Sequence, residues 1–528
     1  MMGGRSARAD RAPGTLLHHE RLPEQLWPAG SAVCYRIHYR SIGYDGTRRT
    51  IGGSVFVPAG AAPPGGWPVV GYAHGTCGLA DATAPSRAGL SKLERSHVGA
   101  WLSAGWVVAA TDYEGLATPG PHPYLNGEAV FDDVIDAVRA AHQLAHPLRT
   151  AWIVVGFSQG GHAALFTAIA ATRYAPELDF RGTVALAPPV HATTIIQLQT
   201  SDGTGPLTIF VPFLLAGLRT GRPDFDARAF LTPAGRAMVE FAAHASLGQM
   251  FKAISTATND HIGTTDLLVD RPLIAAVLDS CRVPLTRLDR PLFLAAGGVD
   301  EVIPLEVVER FAAELRDTGS ELTYAVYPDA THAAMLTAGL DEIRTWASDV
   351  LERPPTGATD PARCGFELLD RTGDGFLTRD DYDAFALRLV QAAGEPPGSA
   401  KAQAVRHGYR ALWHAVRAAA DTDGDGRVSA AEFAAWRGSG AEFADDIEPL
   451  ARAVIDLADT GDGLLQPAEL DRILLGGNLS RAESREIFAR LDRDGDGAVS
   501  VAELVDAVRA FCARPTRDQP GYWLFGRC

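Results

Sequence analysis

The 528-residue sequence predicts two folds in series: an α/β domain with a mostly parallel sheet and a helical cap, then a smaller all-α domain. Three observations carry the prediction. Between about residues 32 and 350, short apolar runs alternate with segments whose apolar residues recur at i, i+3, i+4 and i+7, as strands and covering helices do. Residues 190–286 interrupt that alternation with helical pieces and no strand run, which marks an inserted cap. Beyond a Pro-, Thr- and Gly-rich linker at 352–363, the pattern is helical throughout and is punctuated four times by Asp/Gly clusters, an internal repeat.

Taken in order, residues 1–31 read as an extension, and AVCYRIHYRSIGYDGTRRTIGGSVFVP (32–58) as a hairpin. Strands follow at PVVGYAH (68–74), WVVAATDY (106–113), AWIVVGF (151–157), GTVALAP (182–188), PLFLAAG (291–297) and LTYAVYP (322–328). DDVIDAVRAAHQLA and LEVVERFAAEL are among the helices between them, and the cap enters between the sixth and seventh expected strands. The α/β domain is thus expected over 32–351, the all-α domain over 364–515, and a tail over 516–528. A chain of this length needs more than one core.

The net charge of −16 argues against nucleic acid as a partner, since phosphate would be repelled. From residue 361 onward 28 acidic residues face 20 basic ones, so the tail third is the more densely negative part, as cation sites require. MMGGRSARADRAPG shows no apolar run after its arginines, so no export leader is read and a cytoplasmic location is expected, with secretion the alternative. The apolar stretch PLTIFVPFLLAGL (206–218) is shorter than the ~18 residues a membrane span needs. It suits either a wall or lid facing an acyl chain or ordinary core packing. The cysteines (34, 77, 281, 364, 512 and 528) form no tidy framework and read as mostly reduced thiols.

Two of the repeats are complete twelve-residue EF-hand loops, with oxygen ligands at positions 1, 3, 5, 7, 9 and 12 and Gly at 6. DTDGDGRVSAAE supplies Asp421, Asp423, Asp425, the Arg427 carbonyl, Ser429 and Glu432. DRDGDGAVSVAE supplies Asp492, Asp494, Asp496, the Ala498 carbonyl, Ser500 and Glu503. A hard Ca²⁺ ion wants six to eight oxygens, and such a loop provides them. In DRTGDGFLTRDD the set is Asp370, Thr372, Asp374, the Phe376 carbonyl and Asp381, whose shorter side chain makes a weaker site or one that tolerates Mg²⁺. ADTGDGLLQPAE has Ala458 at position 1, or begins at Asp459 and is one residue short; it is either a damaged site or a structural partner for the fourth loop. Position 8 is apolar in all four (Leu377, Val428, Leu465, Val499), as paired loops joined by a β-bridge require. The loop spacing resembles the sarcoplasmic calcium-binding protein and calerythrin group over about 362–515. No methionine follows Met335. Phe366, Phe385, Trp413, Phe433, Trp436, Phe443, Phe488 and Phe511 instead suggest a fixed aromatic core, more a buffer-like or docked module than a target-seeking sensor.

In the first domain, Gly156-Phe157-Ser158-Gln159-Gly160 matches G-x-S-x-G between a strand and a helix, where a tight turn exposes the serine hydroxyl. A serine nucleophile needs a base, and the base an acid to orient it. In the chain order Ser, acid, His, the acid is Asp300 just past the strand PLFLAAG, with Glu301 the competitor, and the base is His332 just past the last strand. His74 and His162 are near the site but do not follow that strand. Two backbone N–H groups must face the developing oxyanion: Gln159, directly after the nucleophile, and Thr76, with Gly75 the alternative.

AHGTCGLADATAPS, ATDYEGLATPGPHPYLNGE and VGFSQGGHAALF together resemble the secretory lipase group of α/β-hydrolases, found in actinobacteria and fungi, over about residues 20–350. The resemblance implies an α/β-hydrolase fold with a helical cap, hydrolysis of carboxylic esters through an acyl-enzyme, and export. It also implies a cysteine before APS, where this chain has Thr83. The expected function is therefore a serine esterase or lipase acting on a small-molecule or lipid ester, with a fused calcium domain that regulates or stabilises it; docking of that domain on the hydrolase is a separate expectation. The alternatives are a calcium-buffering protein on a non-catalytic scaffold, and an acyltransferase.

Overall fold

The computed structural model describes residues 12–43, 46–221, 226, 230–263, 278–353, 366, 369–370, 375–438, 447–459, 461–476 and 481–513. The chain divides into two compact units, Met1–Pro355 and Thr356–Cys528.

The first unit is built on a nine-stranded sheet: β1 (Leu16–Arg21), β2 (Ser31–Ile42), β3 (Arg48–Pro58), β4 (Trp67–Ala73), β5 (Val107–Thr111), β6 (Leu148–Phe157), β7 (Asp179–Leu186), β8 (Leu292–Gly297) and β9 (Leu322–Tyr327). Their order is β1-β2-β3-β5-β4-β6-β7-β8-β9. The first three strands pair antiparallel, as does β3 with β5; from β5 to β9 every pair is parallel. Strands β4, β5 and β8 are buried at every residue, which is why they read as unbroken apolar runs. The segment expected as an extension to residue 31 instead supplies β1, paired from Leu16 opposite Tyr39 to Arg21 opposite Tyr35. Five of its six residues (LLHHER) are exposed, so an edge strand here needs no apolar signature.

Helices α1 (Lys92–Ser103), α2 (Gly127–Ala141) and α3 (Gln159–Tyr174) cover the sheet. The cap follows β7, as α4 (Ala192–Thr200), α5 (Phe210–Gly221), α6 (Pro233–Ala242) and α7 (Leu247–Ile254). With β1 counted, the insertion lies between the seventh and eighth strands. Helices α8 (Leu305–Asp317) and α9 (Leu340–Glu352) complete the unit. The stretch 206–218 is mostly core: Leu207, Phe210, Val211, Phe213, Leu214, Leu215 and Leu218 are buried. Ile209 and Phe210 at its N-terminal end line a cavity, so it packs the cap and also supplies a wall.

The second unit is helical, comprising α10 (Arg379–Ala392), α11 (Ala400–Ala420), α12 (Ala430–Gly438), α13 (Ile447–Ala458), α14 (Pro467–Gly476), α15 (Arg481–Leu491) and α16 (Val501–Ala513). Two short strands, β10 (Phe376–Leu377) and β11 (Val428–Ser429), pair antiparallel with Leu377 opposite Val428. Leu465 bridges Val499 in the same way. All four position-8 residues thus join loops in two pairs. Phe366, Trp413, Phe433 and Trp436 are buried in one core shared by both pairs, with Phe385 and Phe488 packed against it. Phe443 and the Phe511 side chain lie outside the described residues.

Candidate active site and candidate calcium loops

Parallel strands all point their C-terminal ends to one edge of the sheet, and the order reverses around β4, the usual place for a ligand crevice. Ser158 follows β6 and caps α3, with φ 53° and ψ −118°. That strained turn needs its glycines. A Cβ on Gly156 would lie 1.9 Å from the Gly160 carbonyl oxygen, and one on Gly160 would lie 1.8 Å from the Ala73 oxygen.

Asp300 follows β8 and His332 follows β9, and the three side chains meet. His332 Nε2 lies 2.9 Å from Ser158 Oγ, and Nδ1 lies 2.8 Å from Asp300 Oδ2. Asp300 Oδ1 accepts the Val302 and Ile303 amides, both at 2.8 Å, which fixes the carboxylate. Glu301 does not compete for the ring: its Oε2 accepts the His332 backbone N–H at 3.1 Å. With Nδ1 donating to Asp300, Nε2 is left to accept the serine proton. His74 and His162 are not part of this chain. Both are buried, and their ring nitrogens face backbone carbonyls of Gly75, Asp112 and Cys281.

β4 lies beside β6, so the loop after β4 comes up next to Ser158. The Gly75 N–H donates to Glu94 Oε1 at 2.8 Å, so it is already engaged. Among the described residues the Thr76 and Gln159 amides have no acceptor. The Thr76 hydroxyl meets Tyr124 OH at 2.7 Å, and Gln159 Nε2 meets His122 Nε2 at 2.7 Å. Glu94, His122 and Tyr124 carry no spacing signal that marks them; the last two lie within PGPHPYLNGE, in a loop without periodicity. Cys77 Sγ lies 3.8 Å from Thr83 Oγ1, and Cys34 and Cys77 form no disulfide.

A cavity of about 650 Å³ opens on Ser158, Thr76 and His332. Its walls are largely apolar, including Leu90, Ile209, Phe210, Leu247, Ile303 and Leu336, with Leu93 and Phe251 exposed on its lining. An apolar chamber with a polar floor suits a ligand that is apolar along its length and polar at one end.

In the second unit, the first acid of each loop gathers the turn. Asp421 Oδ2 accepts the Gly426 amide at 3.1 Å and Asp492 Oδ2 that of Gly497 at 3.1 Å. Asp370 Oδ2 does the same for Gly375 at 3.0 Å. Glu432 accepts Ser429 and Thr422 amides and hydroxyls, which hold its carboxyl down at about 2. Oxygens of Asp421, Asp423 and Glu432, and of Asp492, Asp494 and Asp496, each lie within 4.8 Å of one another, a donor set that fits a hard cation. Asp425 Oδ1 accepts the Arg427 amide, and Glu503 accepts the amides of Arg493 and Ser500. In the 370 loop, Asp381 is buried and accepts the Thr378 amide and hydroxyl; Thr372 and Asp374 lie outside the described residues. In the third loop Asp459, not Ala458, accepts the Gly463 amide at 2.9 Å, so this loop is one residue shorter between its first acid and its glycine.

The family model described as secretory lipase matches residues 83–358. A model of an EF-hand domain pair matches residues 462–510, and one of a single EF hand matches 418–435. Lipase A of Moesziomyces aphidis is 24% identical over 357 residues, 62% of this chain and 74% of that protein. Calerythrin of Saccharopolyspora erythraea is 27% identical over 161 residues, 29% of this chain and 91% of that protein. Among solved structures, lipase A of Candida antarctica in its closed state matches with a TM-score of 0.54 at 20% identity, over 65% of this chain and 83% of that one. At that identity the likeness bears on the fold alone.

Proposed function

The chain belongs to the secretory lipase family and carries an EF-hand calcium-binding domain, and from that premise we propose that it hydrolyses carboxylic esters through an acyl-enzyme on Ser158. The observation that carries this reading is the continuous hydrogen-bonded line from Ser158 Oγ through the His332 ring to Asp300.

In that mechanism Ser158 Oγ attacks the ester carbonyl carbon while His332 Nε2 takes its proton, and Asp300 stabilises the resulting imidazolium. The carbonyl oxygen becomes negative opposite the Thr76 and Gln159 amides. Collapse breaks the bond to the alcohol oxygen, which leaves with the proton from His332. Water then attacks the acyl carbon and gives a proton to His332; the acyl–Oγ bond breaks, Oγ takes that proton back from His332, and the acid is released.

Calcium supplies charge neutralisation and loop closure. Asp421, Asp423, Asp425, the Arg427 carbonyl, Ser429 and Glu432 would hold one ion, and Asp492, Asp494, Asp496, the Ala498 carbonyl, Ser500 and Glu503 would hold another. Asp370, the Phe376 carbonyl and Asp381 form a weaker site, and the third loop, short of one residue, serves its partner. Calcium stabilises the unit that binds it. The family's secretory description lends no support to a cytoplasmic location.

The test is a panel of p-nitrophenyl esters of rising acyl length, with and without Ca²⁺, on wild type and Ser158→Ala. Release of p-nitrophenol by the wild type and its loss in the variant are expected. Wild-type inertness across the panel would overturn the reading. Ester products formed from an added alcohol would assign transfer in place of hydrolysis.

A further inference from the structure

We propose that Tyr124 and His122 are positioning residues for the oxyanion hole, Tyr124 holding Thr76 and His122 holding Gln159. The inference rests on the ester-hydrolase reading above and asks what keeps its two amide donors aimed.

Thr76 and Gln159 come from different strands' ends, and their N–H groups must converge before the oxyanion forms. One short loop touches both. It follows β5, and two of its side chains, separated by Pro123, reach one residue each. Tyr124 OH lies 2.7 Å from Thr76 Oγ1, and His122 Nε2 lies 2.7 Å from Gln159 Nε2. Both rings are buried, and Tyr124 lines the cavity beside Ser158.

The polarity of the second contact follows from the far side of the ring. His122 Nδ1 lies 2.7 Å from the Glu114 carbonyl oxygen, which can only accept, so Nδ1 carries the hydrogen and Nε2 accepts from the Gln159 amide. Burial holds the His122 pKa down at about 4, which keeps this neutral tautomer in place above that pH.

The loop itself is held in a costly shape. Tyr113, Ala117 and Leu125 have φ of 71°, 58° and 58°, the left-handed region that L side chains rarely adopt. Its surroundings impose that shape: Glu114 N donates to Asp133 Oδ2 at 2.7 Å, Arg87 Nη2 to the Ala117 carbonyl at 2.7 Å, and Tyr113 OH to the His74 carbonyl at 2.9 Å. Tyr113 stacks on His122 at 5.8 Å and 17°. The cap seats on the same brace. Phe213 of α5 packs against Tyr124, and a Cβ on Gly217 would lie 2.5 Å from the Tyr124 Cβ.

Two variants remove one end each of the first tie, Tyr124→Phe and Thr76→Val, and a third removes both. Each single variant is expected to lower kcat on the order of tenfold with KM unchanged, and the double variant to lose no more than either single one, because both cut one link. An alkylboronic acid, which forms an anionic tetrahedral adduct on serine, should weaken in parallel. His122→Phe should lower kcat and boronate affinity together, and His122→Gln, which keeps an acceptor, should restore most of both. Unchanged kcat in Tyr124→Phe, losses that multiply in the double variant, or a rise in KM alone would each overturn the proposal. If Tyr124→Phe does not fold, Thr76→Val and the His122 pair give the same readouts. A wild type that hydrolyses no ester sinks the hydrolase reading and this one with it; turnover that Tyr124→Phe leaves intact sinks only this one.

Discussion

Adjacent carboxylates after β8 have different work. Asp300 aims one oxygen at the His332 ring and the other at two backbone amides, so nothing in it is free to turn. Replacing it with Asn would set an NH₂ group against donors on either side and push the imidazole toward the wrong tautomer. Asp300→Asn should therefore lower kcat by about 10³–10⁴-fold. Glu301→Gln keeps an acceptor for the His332 amide and should change kcat less than about tenfold. Equal losses in steady-state assays of the two would contradict the assignment. At this scale the meeting of Ser158, His332 and Asp300 was legible because each follows a strand in a fixed chain order. The engagement of the Gly75 amide was not, since it depends on Glu94 reaching it from a helix nineteen residues away. His122 and Tyr124 were silent for a similar reason: only the fold brings their loop to Thr76 and Gln159.

At the level of elements, apolar runs bounded by Gly and Pro marked β4 to β8 because the inner lengths of those strands are covered on both faces; β9, at the sheet edge, has an apolar run but no buried residue. The exposed edge strand β1 had no such mark. Position 8 of the loops foretold the pairing, Leu377 with Val428 and Leu465 with Val499. Of the two readings of the third loop, the hydrogen bonds follow the one that begins at Asp459 and is one residue short, not the one with Ala458 at position 1. Pairing makes a prediction. Glu432→Gln should remove the 421 site and also weaken its partner at 370, while Glu503→Gln should remove the 492 site and leave the 370 site unchanged. Calcium titration calorimetry reads both; loss of the 370 site in Glu503→Gln would show that the pairs are not the coupling units.

Across the whole molecule the two units should respond to different solutes. Calcium bound only by the folded second unit stabilises it by about 2.7 kcal/mol per site at a hundred times Kd. EGTA should therefore lower a calorimetric melting transition, and an unchanged trace would refute the stabilising role. The first unit should answer to acid. Burial holds His97, His122 and His162 each down at about 4, against an ordinary value near 6.5. Unfolding then takes up protons between those values. Their contribution to stability is complete above about pH 6.5 and is lost as pH falls through about 4. Buried Asp112, Asp133 and Asp136, whose pKa values burial raises, release protons on unfolding in the same window. The histidine part is therefore read by comparing the wild type with His162→Phe; an identical pH dependence of melting temperature in the two would contradict it. The order of units, the cap and the covering helices were legible from periodicity alone, whereas the contacts of Tyr124 with Thr76 and of His122 with Gln159 exist only in the folded chain.

The central claim is that acyl transfer passes through Ser158. Rapid quenching during turnover of a slowly deacylated ester, followed by peptide mass mapping, tests it most directly. The expected result is one acyl group on the peptide containing Ser158, absent in Ser158→Ala, which also shows no turnover. An acyl adduct on another residue, or turnover that persists in Ser158→Ala, would contradict it.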